Sequence, residues 1–359
     1  MDRVKAFKPH LAELPSYPYE HHQAPIKLDQ NESPYDLPQA LKDEVAERLK
    51  ETPLNRYPAI DAWPLKKAIA TFEGWPEEGV VVTPGSNVVL STLALAARRV
   101  LDLVPSFSLY KWAAKVAGTP WEGVPLGPEF ELPTTALKAY LEDKDEPGVF
   151  FFPNPHAPTG RFWGPEIVES LVAPAAASGW IVVLDEAYYH FAPSDFKRHA
   201  MELPFVPIAR TFSKAWGLAG VRLGYLLADP ELAREVEKML PPFRIPTPTA
   251  MFALAAIENP GYLAETVEKI RRERERVYLE LKAHPTWKVY KSHTNFLLIR
   301  TPDAEAAFQG LLKRGVLVRR VDHQPGLEGC IRVTIGTPVE NDAFLKAAFE
   351  LAEESGEKS

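Results

Sequence analysis

A lysine that follows a buried strand is the first residue of this chain whose position suggests chemistry. Lys214 comes shortly after an apolar run at 206–209 that predicts a strand, and open α/β sheets bind ligands at the carboxyl ends of their strands. Ser213 precedes the lysine, and Arg222 follows it eight residues later. This spacing predicts an amine beside an anion site. A surface lysine in a turn is the alternative that one Ser-Lys pair leaves open.

A carboxylate and a phenol lie in a similar position. Asp185 directly follows the apolar run 181–184, and Tyr188 comes three residues later. A carboxylate at a strand end can keep a pyridine nitrogen protonated, and a phenol can donate to an anionic oxygen. Taken alone, Asp185 and the adjacent Glu186 also fit a metal-binding carboxylate pair or a helix cap. Together with the Lys214 amine and an anion site, Asp185 and Tyr188 are the groups that pyridoxal phosphate requires.

A helix start supplies a candidate phosphate site. Gly85, Ser86 and Asn87 lie where the predicted strand 80–82 gives way to a helical pattern. The N–H groups and the positive dipole end at the start of a helix bind phosphate. Glycine at such a turn is common, so this motif is weak without the others.

A pair of arginines predicts a second anion site. Arg332 interrupts the apolar strand 330–334, where an arginine needs an anionic partner or an exposed face. If Arg319 lies beside it, the two guanidinium groups suit a carboxylate or a phosphate. Tyr110 is a candidate for stacking on a planar ring, with a core aromatic as its alternative.

These candidates need a sheet whose strands end at one edge, and the sequence predicts such a sheet. Short β-branched runs alternate with helical patterns up to about residue 245, which is typical of a mostly parallel sheet with helices on both faces. Helices are predicted near 37–50, 88–98, 165–177 and 231–239. Strands are predicted at 80–82, 101–104, 149–152, 181–184, 207–210 and 223–227.

The pattern changes after residue 245. A long charged helix at 250–281, interrupted near Pro260, leads into shorter strands and helices. The predicted strands are 288–290, 296–300, 316–320 and 331–335, and the helices are 304–314 and 340–354. The sequence thus predicts an N-terminal arm (1–30) that joins a small α+β domain (246–359), and a large α/β domain (31–245). Binding sites often form between two such domains.

The composition excludes several classes of partner. The chain has 41 Lys and Arg against 48 Asp and Glu, a net charge of −7, so we expect no surface for nucleic acid or an acidic membrane. No apolar run approaches the ~20 residues that span a bilayer, and residues 1–10 lack the apolar core of a signal peptide. Cys330 is the single cysteine, which excludes an intrachain disulfide and favours a cytoplasmic location. No His-x-x-x-His or Cys-x-x-Cys spacing indicates a metal.

In this order the motifs resemble those of the fold-type-I pyridoxal-phosphate-dependent aminotransferases over nearly the whole chain. The nearest branch is that of the histidinol-phosphate aminotransferases. The segments that carry the resemblance are 28–35, 56–58, 185–188, 211–224 and 329–337. The resemblance implies a fold with a seven-stranded, mostly parallel sheet, pyridoxal phosphate as cofactor, and a homodimer. It also implies ping-pong transamination, in which histidinol phosphate and 2-oxoglutarate give imidazole acetol phosphate and glutamate.

The resemblance implies a role for each motif residue. Lys214 would form an imine with the cofactor and act as acid and base, Asp185 would pair with the pyridinium nitrogen, and Tyr188 would face the phenolic oxygen. Tyr110 would stack on the ring, and Tyr57 would reach the cofactor phosphate from the neighbouring subunit. The other phosphate ligands would be Ser86, Asn87, Ser213 and Arg222, and Thr211 would also contact the cofactor. The substrate would contact Arg332, Arg319, Asn31 and an N-terminal tyrosine, Tyr19 or Tyr17.

The chain departs from the family pattern at position 157. Where the family reads Asn-Pro-x-Asn-Pro-Thr-Gly, residues 154–160 read Asn-Pro-His-Ala-Pro-Thr-Gly. Ala157 has no amide to donate to the phenolic oxygen. We expect this loss to weaken the tuning of the cofactor, unless Tyr188, His156 or a water compensates for it. An aromatic amino acid aminotransferase and a threonine-phosphate decarboxylase are the alternatives within the family. Because of Ala157, a non-catalytic relative that binds the cofactor is a further alternative.

Overall fold

The computed structural model describes residues 6–14, 22–142 and 146–356. Its strands are β1 (Ile26–Lys27), β2 (Val80–Thr83), β3 (Val100–Val104), β4 (Trp121–Pro125), β5 (Val149–Pro153), β6 (Ile181–Asp185), β7 (Ile208–Thr211), β8 (Gly224–Leu227), β9 (Lys288–Val289), β10 (Phe296–Arg300), β11 (Val316–Leu317), β12 (Arg319–Arg320) and β13 (Cys330–Thr334). Its helices are α1 (Gln39–Lys50), α2 (Trp63–Glu73), α3 (Ser86–Ala96), α4 (Ser108–Ala117), α5 (Thr134–Leu141), α6 (Pro165–Ala177), α7 (Lys197–Ala200), α8 (Pro230–Glu237), α9 (Thr247–Glu258), α10 (Gly261–Leu281), α11 (Ala304–Lys313) and α12 (Pro338–Gly356).

A seven-stranded sheet forms the centre of the fold, in the order β2-β8-β7-β6-β5-β3-β4. Only β8 runs antiparallel to its neighbours, and the remaining pairs are parallel. The predicted α/β fold with a mostly parallel sheet is therefore confirmed. Parallel strands need crossover connections, which here are mostly helical, so the alternating pattern of the sequence is a consequence of this topology.

Helices cover both faces of this sheet. Along β5, Phe150 and Phe152 pack into one hydrophobic cluster, whereas Phe151 packs into another on the opposite face. Successive side chains of a strand point to opposite faces, so both faces are buried. This double burial explains why the central strands read as continuous apolar runs rather than as an alternation.

A buried cluster of charges supports the strands next to the site. Arg210 of β7 donates to Glu186 and Glu73 at 2.6 Å each and to Asp195 at 2.8 Å. Its guanidinium also lies 3.7 Å from the centre of the Tyr189 ring. A buried charge needs such partners, and this cluster ties the end of β6 to β7 and α2.

The C-terminal region forms a second sheet, antiparallel in the order β12-β13-β10-β9. The prediction of a single strand at 316–320 is wrong. Its first two residues form β11, which pairs with β1 of the N-terminal segment, and Arg319 and Arg320 form β12, which pairs with β13. A local pattern cannot show that two neighbouring pairs of residues have different and distant partners.

Most other predicted elements are present. The predicted interruption of the long helix near Pro260 separates α9 from α10. The sequence analysis missed β1, β4, α2, α4, α5 and α7. The division at residues 30 and 245 stays a prediction, while the β1–β11 pairing joins the end of the predicted arm to the C-terminal region. No helix among the described residues is long and apolar enough to cross a membrane.

Candidate active site

A cavity of about 440 Å³ lies at the carboxyl ends of β5, β6 and β7. These strands end together because Pro153 pairs with Asp185, and Asp185 pairs with Ala209. Most residues predicted for the site line this one cavity. They are Asn31, Ser86, Asn87, Tyr110, Asp185, Tyr188, Thr211, Ser213, Lys214, Arg222 and Arg332.

The Lys214 amine lies three residues beyond the end of β7, inside the cavity. Its Nζ donates to the carbonyl of Gln30 at 3.0 Å. Burial lowers the pKa of Lys214 to about 7, and the positive charge of Arg332 lowers it further in the same direction. The lowered pKa favours the uncharged amine, which is the form that attacks carbonyl groups.

Asp185 ends β6 as a buried carboxylate with two donors. Its Oδ2 accepts from the Tyr110 hydroxyl at 2.5 Å, and its Oδ1 accepts from the Ala187 amide at 3.1 Å. Burial raises the pKa of Asp185, while these two hydrogen bonds and the Lys214 charge act in the opposite direction. Another positive group at this carboxylate would stabilise its ionised form further.

The bond between Tyr110 and Asp185 was not predicted from the sequence. Tyr110 lies on α4, and its ring stacks on Phe151 with the two ring centres 4.6 Å apart. It also lines the cavity. Its predicted stacking on a bound ring stays a prediction, and the structure adds that its hydroxyl holds the carboxylate of the site.

The start of α3 forms an anion cradle with Arg222. Gly85 precedes the helix with φ +81°, and no side chain caps the N–H groups of the first turn. The Arg222 guanidinium donates to Ser213 Oγ at 3.4 Å and to the Ala219 carbonyl at 3.0 Å. A Cβ atom at position 85 would lie only 2.7 Å from Nη2 of Arg222. Helix N–H groups, a hydroxyl and a guanidinium together suit a phosphate.

Thr211 supports this cradle from the end of β7. Its Oγ1 donates to the Leu223 carbonyl at 3.3 Å and accepts from the Ser213 amide at 3.1 Å. These bonds hold the turn that leads to Lys214. Thr211 also lines the cavity. Its predicted contact with the cofactor stays a prediction.

The arginine pair lies on the antiparallel sheet of the C-terminal region. Arg319 and Arg332 are register partners on β12 and β13. Arg332 donates to the Asp29 carbonyl at 3.0 Å and lines both the main cavity and an adjoining space of about 260 Å³. Arg319 lines the adjoining space together with His323. Two guanidinium groups here can bind a carboxylate or a phosphate.

Two predicted residues lie elsewhere. Tyr57 is 82% exposed and stacks on Phe243, with ring centres 4.8 Å apart, outside the cavity lining. Tyr19 and its alternative Tyr17 are outside the described residues. Sequence reasoning also missed Gln30, which acts through its backbone carbonyl and therefore has no side-chain signal.

Comparison with known proteins agrees with this geometry. Residues 23–347 match the family model described as aminotransferase class I and II. The chain belongs to this family. It is 45% identical to the histidinol-phosphate aminotransferase of Deinococcus radiodurans over 95% of each chain. As a member, it is an enzyme that transfers amino groups.

Solved structures show the same fold. Histidinol-phosphate aminotransferase from Sinorhizobium meliloti, in complex with pyridoxal 5′-phosphate, has a TM-score of 0.88 at 24% identity, and the match covers 98% of each chain. L-threonine-O-3-phosphate decarboxylase from Porphyromonas gingivalis has a TM-score of 0.81 at 22% identity, covering 91% of this chain and 99% of that one. At these identities the two structures support the fold and do not separate the two reactions.

Among the described residues, no group of three His, Cys, Asp or Glu side chains could hold a metal ion. Asp185, for which a metal-binding role was an alternative, has its two oxygens bonded to Tyr110 and the Ala187 amide.

Proposed function

We propose that this aminotransferase uses pyridoxal phosphate to transfer the amino group of histidinol phosphate to 2-oxoglutarate, giving imidazole acetol phosphate and glutamate. The observation that carries the proposal is the convergence of the Lys214 amine, the Asp185 carboxylate and the Arg222 cradle in one cavity. The substrate comes from the similarity to several histidinol-phosphate aminotransferases.

The residues of the cavity fit the cofactor. Position 85 carries no side chain, and a Cβ there would lie 2.7 Å from Nη2 of Arg222, while the first turn of α3 has no side-chain cap. Lys214 would hold the aldehyde end and Asp185 the pyridine nitrogen. When bound, pyridoxal phosphate supplies an aldehyde that condenses with amines and a ring that withdraws electrons from the neighbouring carbon.

Lys214 serves twice in this mechanism. In its uncharged form Lys214 would hold the aldehyde end of the cofactor, and the arriving substrate amine would free it to act as a base. The released amine then removes the proton from the substrate carbon that carries the nitrogen. A base with a pKa near the working pH is most effective in such a transfer, and the value of about 7 for Lys214 meets this condition.

Asp185 and Tyr110 would act at the pyridine nitrogen of the cofactor ring, through which the ring withdraws electrons. A carboxylate next to a pyridine nitrogen keeps that nitrogen protonated, and the bond from Tyr110 at 2.5 Å holds the carboxylate in place. Because the pair is buried, the charge on Asp185 is only weakly screened by solvent. Ion pairing with the pyridinium is therefore strong.

The arginines select substrates by their anionic groups. Histidinol phosphate carries a phosphate and glutamate carries carboxylates, and a guanidinium fork binds both groups through two parallel hydrogen bonds. Arg332 and Arg319 lie side by side on β13 and β12. A contact of Asn31 or Tyr19 with the substrate is part of the same proposal.

We also propose a homodimer in which Tyr57 reaches the cofactor phosphate of the neighbouring subunit. Tyr57 lies outside the cavity of its own chain. Tyr57 stacks on Phe243, whose N–H donates to the Ile60 carbonyl, and these three apolar side chains are exposed. Clustered apolar side chains on a surface are typical of protein contacts. A cytoplasmic location completes the proposal, supported by the single, buried Cys330.

Reduction with borohydride followed by peptide mapping tests the proposed cofactor site. We expect the reduced cofactor on the peptide that contains Lys214. Recovery on another lysine would overturn the proposal. The substrate is tested by turnover of histidinol phosphate, phenylalanine and threonine phosphate side by side. Faster turnover of phenylalanine, or release of carbon dioxide from threonine phosphate, would favour one of the two alternative enzymes.

A non-catalytic relative would give a different result. The visible absorbance band of the cofactor-loaded protein would then fail to change when glutamate is added. We expect glutamate to bleach this band, because the glutamate amine displaces Lys214.

A further inference from the structure

Residues 29–31 each form a hydrogen bond with a different candidate residue of the active site. The backbone carbonyls of residues 29 and 30 accept hydrogen bonds from Arg332 and Lys214, each at 3.0 Å. The side-chain amide of Asn31 donates to the Tyr188 hydroxyl at 2.8 Å. The segment 29–31 therefore contacts the amine, the phenol and the arginine at the same time.

The small sheet fixes the side chain of Asn31. Its backbone N–H donates to Thr334 Oγ1 at 2.9 Å, and the Thr334 hydroxyl donates back to Asn31 Oδ1 at 3.3 Å. The Asn31 carbonyl accepts from Asn295 at 3.0 Å. Asn31 also has a positive φ of 54°, which asparagine adopts more readily than most residues. Its amide oxygen is thus turned toward β13 and its amide nitrogen toward Tyr188.

This orientation sets the direction of the bond to Tyr188. An amide nitrogen has only protons to offer, so the oxygen of Tyr188 must accept. The proton of the Tyr188 hydroxyl is then left for a different acceptor. Tyr188 lines the cavity, and Ala157 in the same lining has no polar atom in its side chain.

We propose that Asn31 is a positioning residue that makes the Tyr188 hydroxyl a hydrogen-bond donor toward the cofactor. The inference rests on the proposed function and adds to it a second role for Asn31. Asn31 acts through Tyr188, so its amide replaces in an indirect way the amide that is missing at position 157. It also links this donor to β13, the strand that carries the substrate-binding arginine.

The test is a pH titration of the visible absorbance band of the protein loaded with pyridoxal phosphate. A donor to the phenolic oxygen stabilises the negative charge there and so favours the deprotonated form. In Asn31→Ala the Tyr188 hydroxyl is no longer directed toward the phenolic oxygen of the cofactor. We therefore expect the midpoint of the titration to rise by about one pH unit, a tenfold change in proton affinity. Asn31→Asp places an acceptor at the same position, and we expect a rise at least as large.

A double-mutant cycle separates this role from a merely structural one. We expect Tyr188→Phe to raise the midpoint as well, and Asn31→Ala to add no further rise in the Tyr188→Phe background. Asn259→Ala is the matched control, because Asn259 donates to the Ala255 carbonyl at 2.9 Å away from the cavity. Its midpoint should equal that of the wild type. Cofactor dissociation constants, measured in parallel, should rise several-fold for the Asn31 and Tyr188 variants and stay at the wild-type value for Asn259→Ala.

Three outcomes decide the matter. A rise with Tyr188→Phe but an unchanged midpoint with both Asn31 variants would overturn the role of Asn31 and leave the proposed function intact. Additive effects in the double variant would show that Asn31 acts independently of Tyr188, which also overturns it. An unchanged midpoint with Tyr188→Phe would instead refute the contact between Tyr188 and the cofactor in the proposed function.

Discussion

The anion cradle can be tested by adding a single carbon atom at Gly85. The residue has φ +81° and ψ 151° directly before α3, a conformation that is nearly restricted to glycine. In Gly85→Ala the new Cβ would lie 2.7 Å from Nη2 of Arg222. Because the end of an arginine side chain is flexible, we expect the guanidinium to move out of the cradle rather than the backbone to shift.

Two free-energy terms follow from this geometry. The strained φ costs about 1–3 kcal/mol of folding stability. Displacing Arg222 from a bound phosphate removes a hydrogen bond to a charged group, worth about 1.5–3 kcal/mol. Since about 1.4 kcal/mol is a factor of ten, the dissociation constant for pyridoxal phosphate should rise roughly 10- to 150-fold.

The assay is cofactor binding by the cofactor-free protein, followed by the visible absorbance band, with urea unfolding in parallel. Gly74→Ala is the matched control, because Gly74 also has a positive φ, +62°, but no atom lies within 4 Å of a Cβ there. The control should lose stability and keep wild-type cofactor affinity. If Gly85→Ala binds the cofactor as tightly as Gly74→Ala does, the assignment of the phosphate to this cradle is refuted.

Three further predictions concern the amine, the substrate anion and the neighbouring subunit. Burial and Arg332 lower the pKa of Lys214 to about 7, so the rate of cofactor loading should rise with pH to half its maximum near pH 7, followed by stopped-flow absorbance. A midpoint near the ordinary value for lysine, about 10.4, would contradict this. Arg332→Ala should lower kcat/KM for histidinol phosphate by roughly 10- to 100-fold, from the loss of a charged hydrogen bond, while turnover of histidinol, which lacks the phosphate, changes little. Equal losses for both substrates would show that the arginine does not bind the phosphate. Mixing Lys214→Ala subunits with Tyr57→Phe subunits should restore activity, because one site of each hybrid dimer receives both native side chains. A mixture no more active than its components would count against the exchange of Tyr57.

The structure brings most of the residues predicted from the sequence into one cavity, and their roles there stay predictions. Asp185, Lys214 and Ser86 each follow a buried apolar run, and such runs mark strands that are covered on both faces. In a parallel sheet the carboxyl ends of these strands meet at one edge, so the three residues converge without any knowledge of the loops. The prediction worked because it depended on sheet topology rather than on exact element boundaries.

Two of the missed elements, β4 and α2, lack a clear sequence pattern for a strand or a helix start. The strand β4 has the sequence Trp-Glu-Gly-Val-Pro, lies at the edge of the sheet, and is only partly buried, so its apolar pattern is weak. The helix α2 begins after Ala62, which has a positive φ, and it carries two lysines in its first turns. Neither feature is an ordinary signal for a helix start.

The contacts that control protonation in the site were equally invisible in the sequence. The Lys214 amine is held by the carbonyl of Gln30, and the Asp185 carboxylate by the hydroxyl of Tyr110. A backbone carbonyl looks the same at every residue, and Tyr110 reaches Asp185 only because β3 and α4 place it across the cavity. The resemblance carried by the motifs therefore predicted the reaction, whereas the shifted pKa values of Lys214 and Asp185 depend on long-range packing. For this reason, substitutions at Asn31 and Gly85, which leave every reacting group in place, are the most informative tests of how the fold adjusts the chemistry.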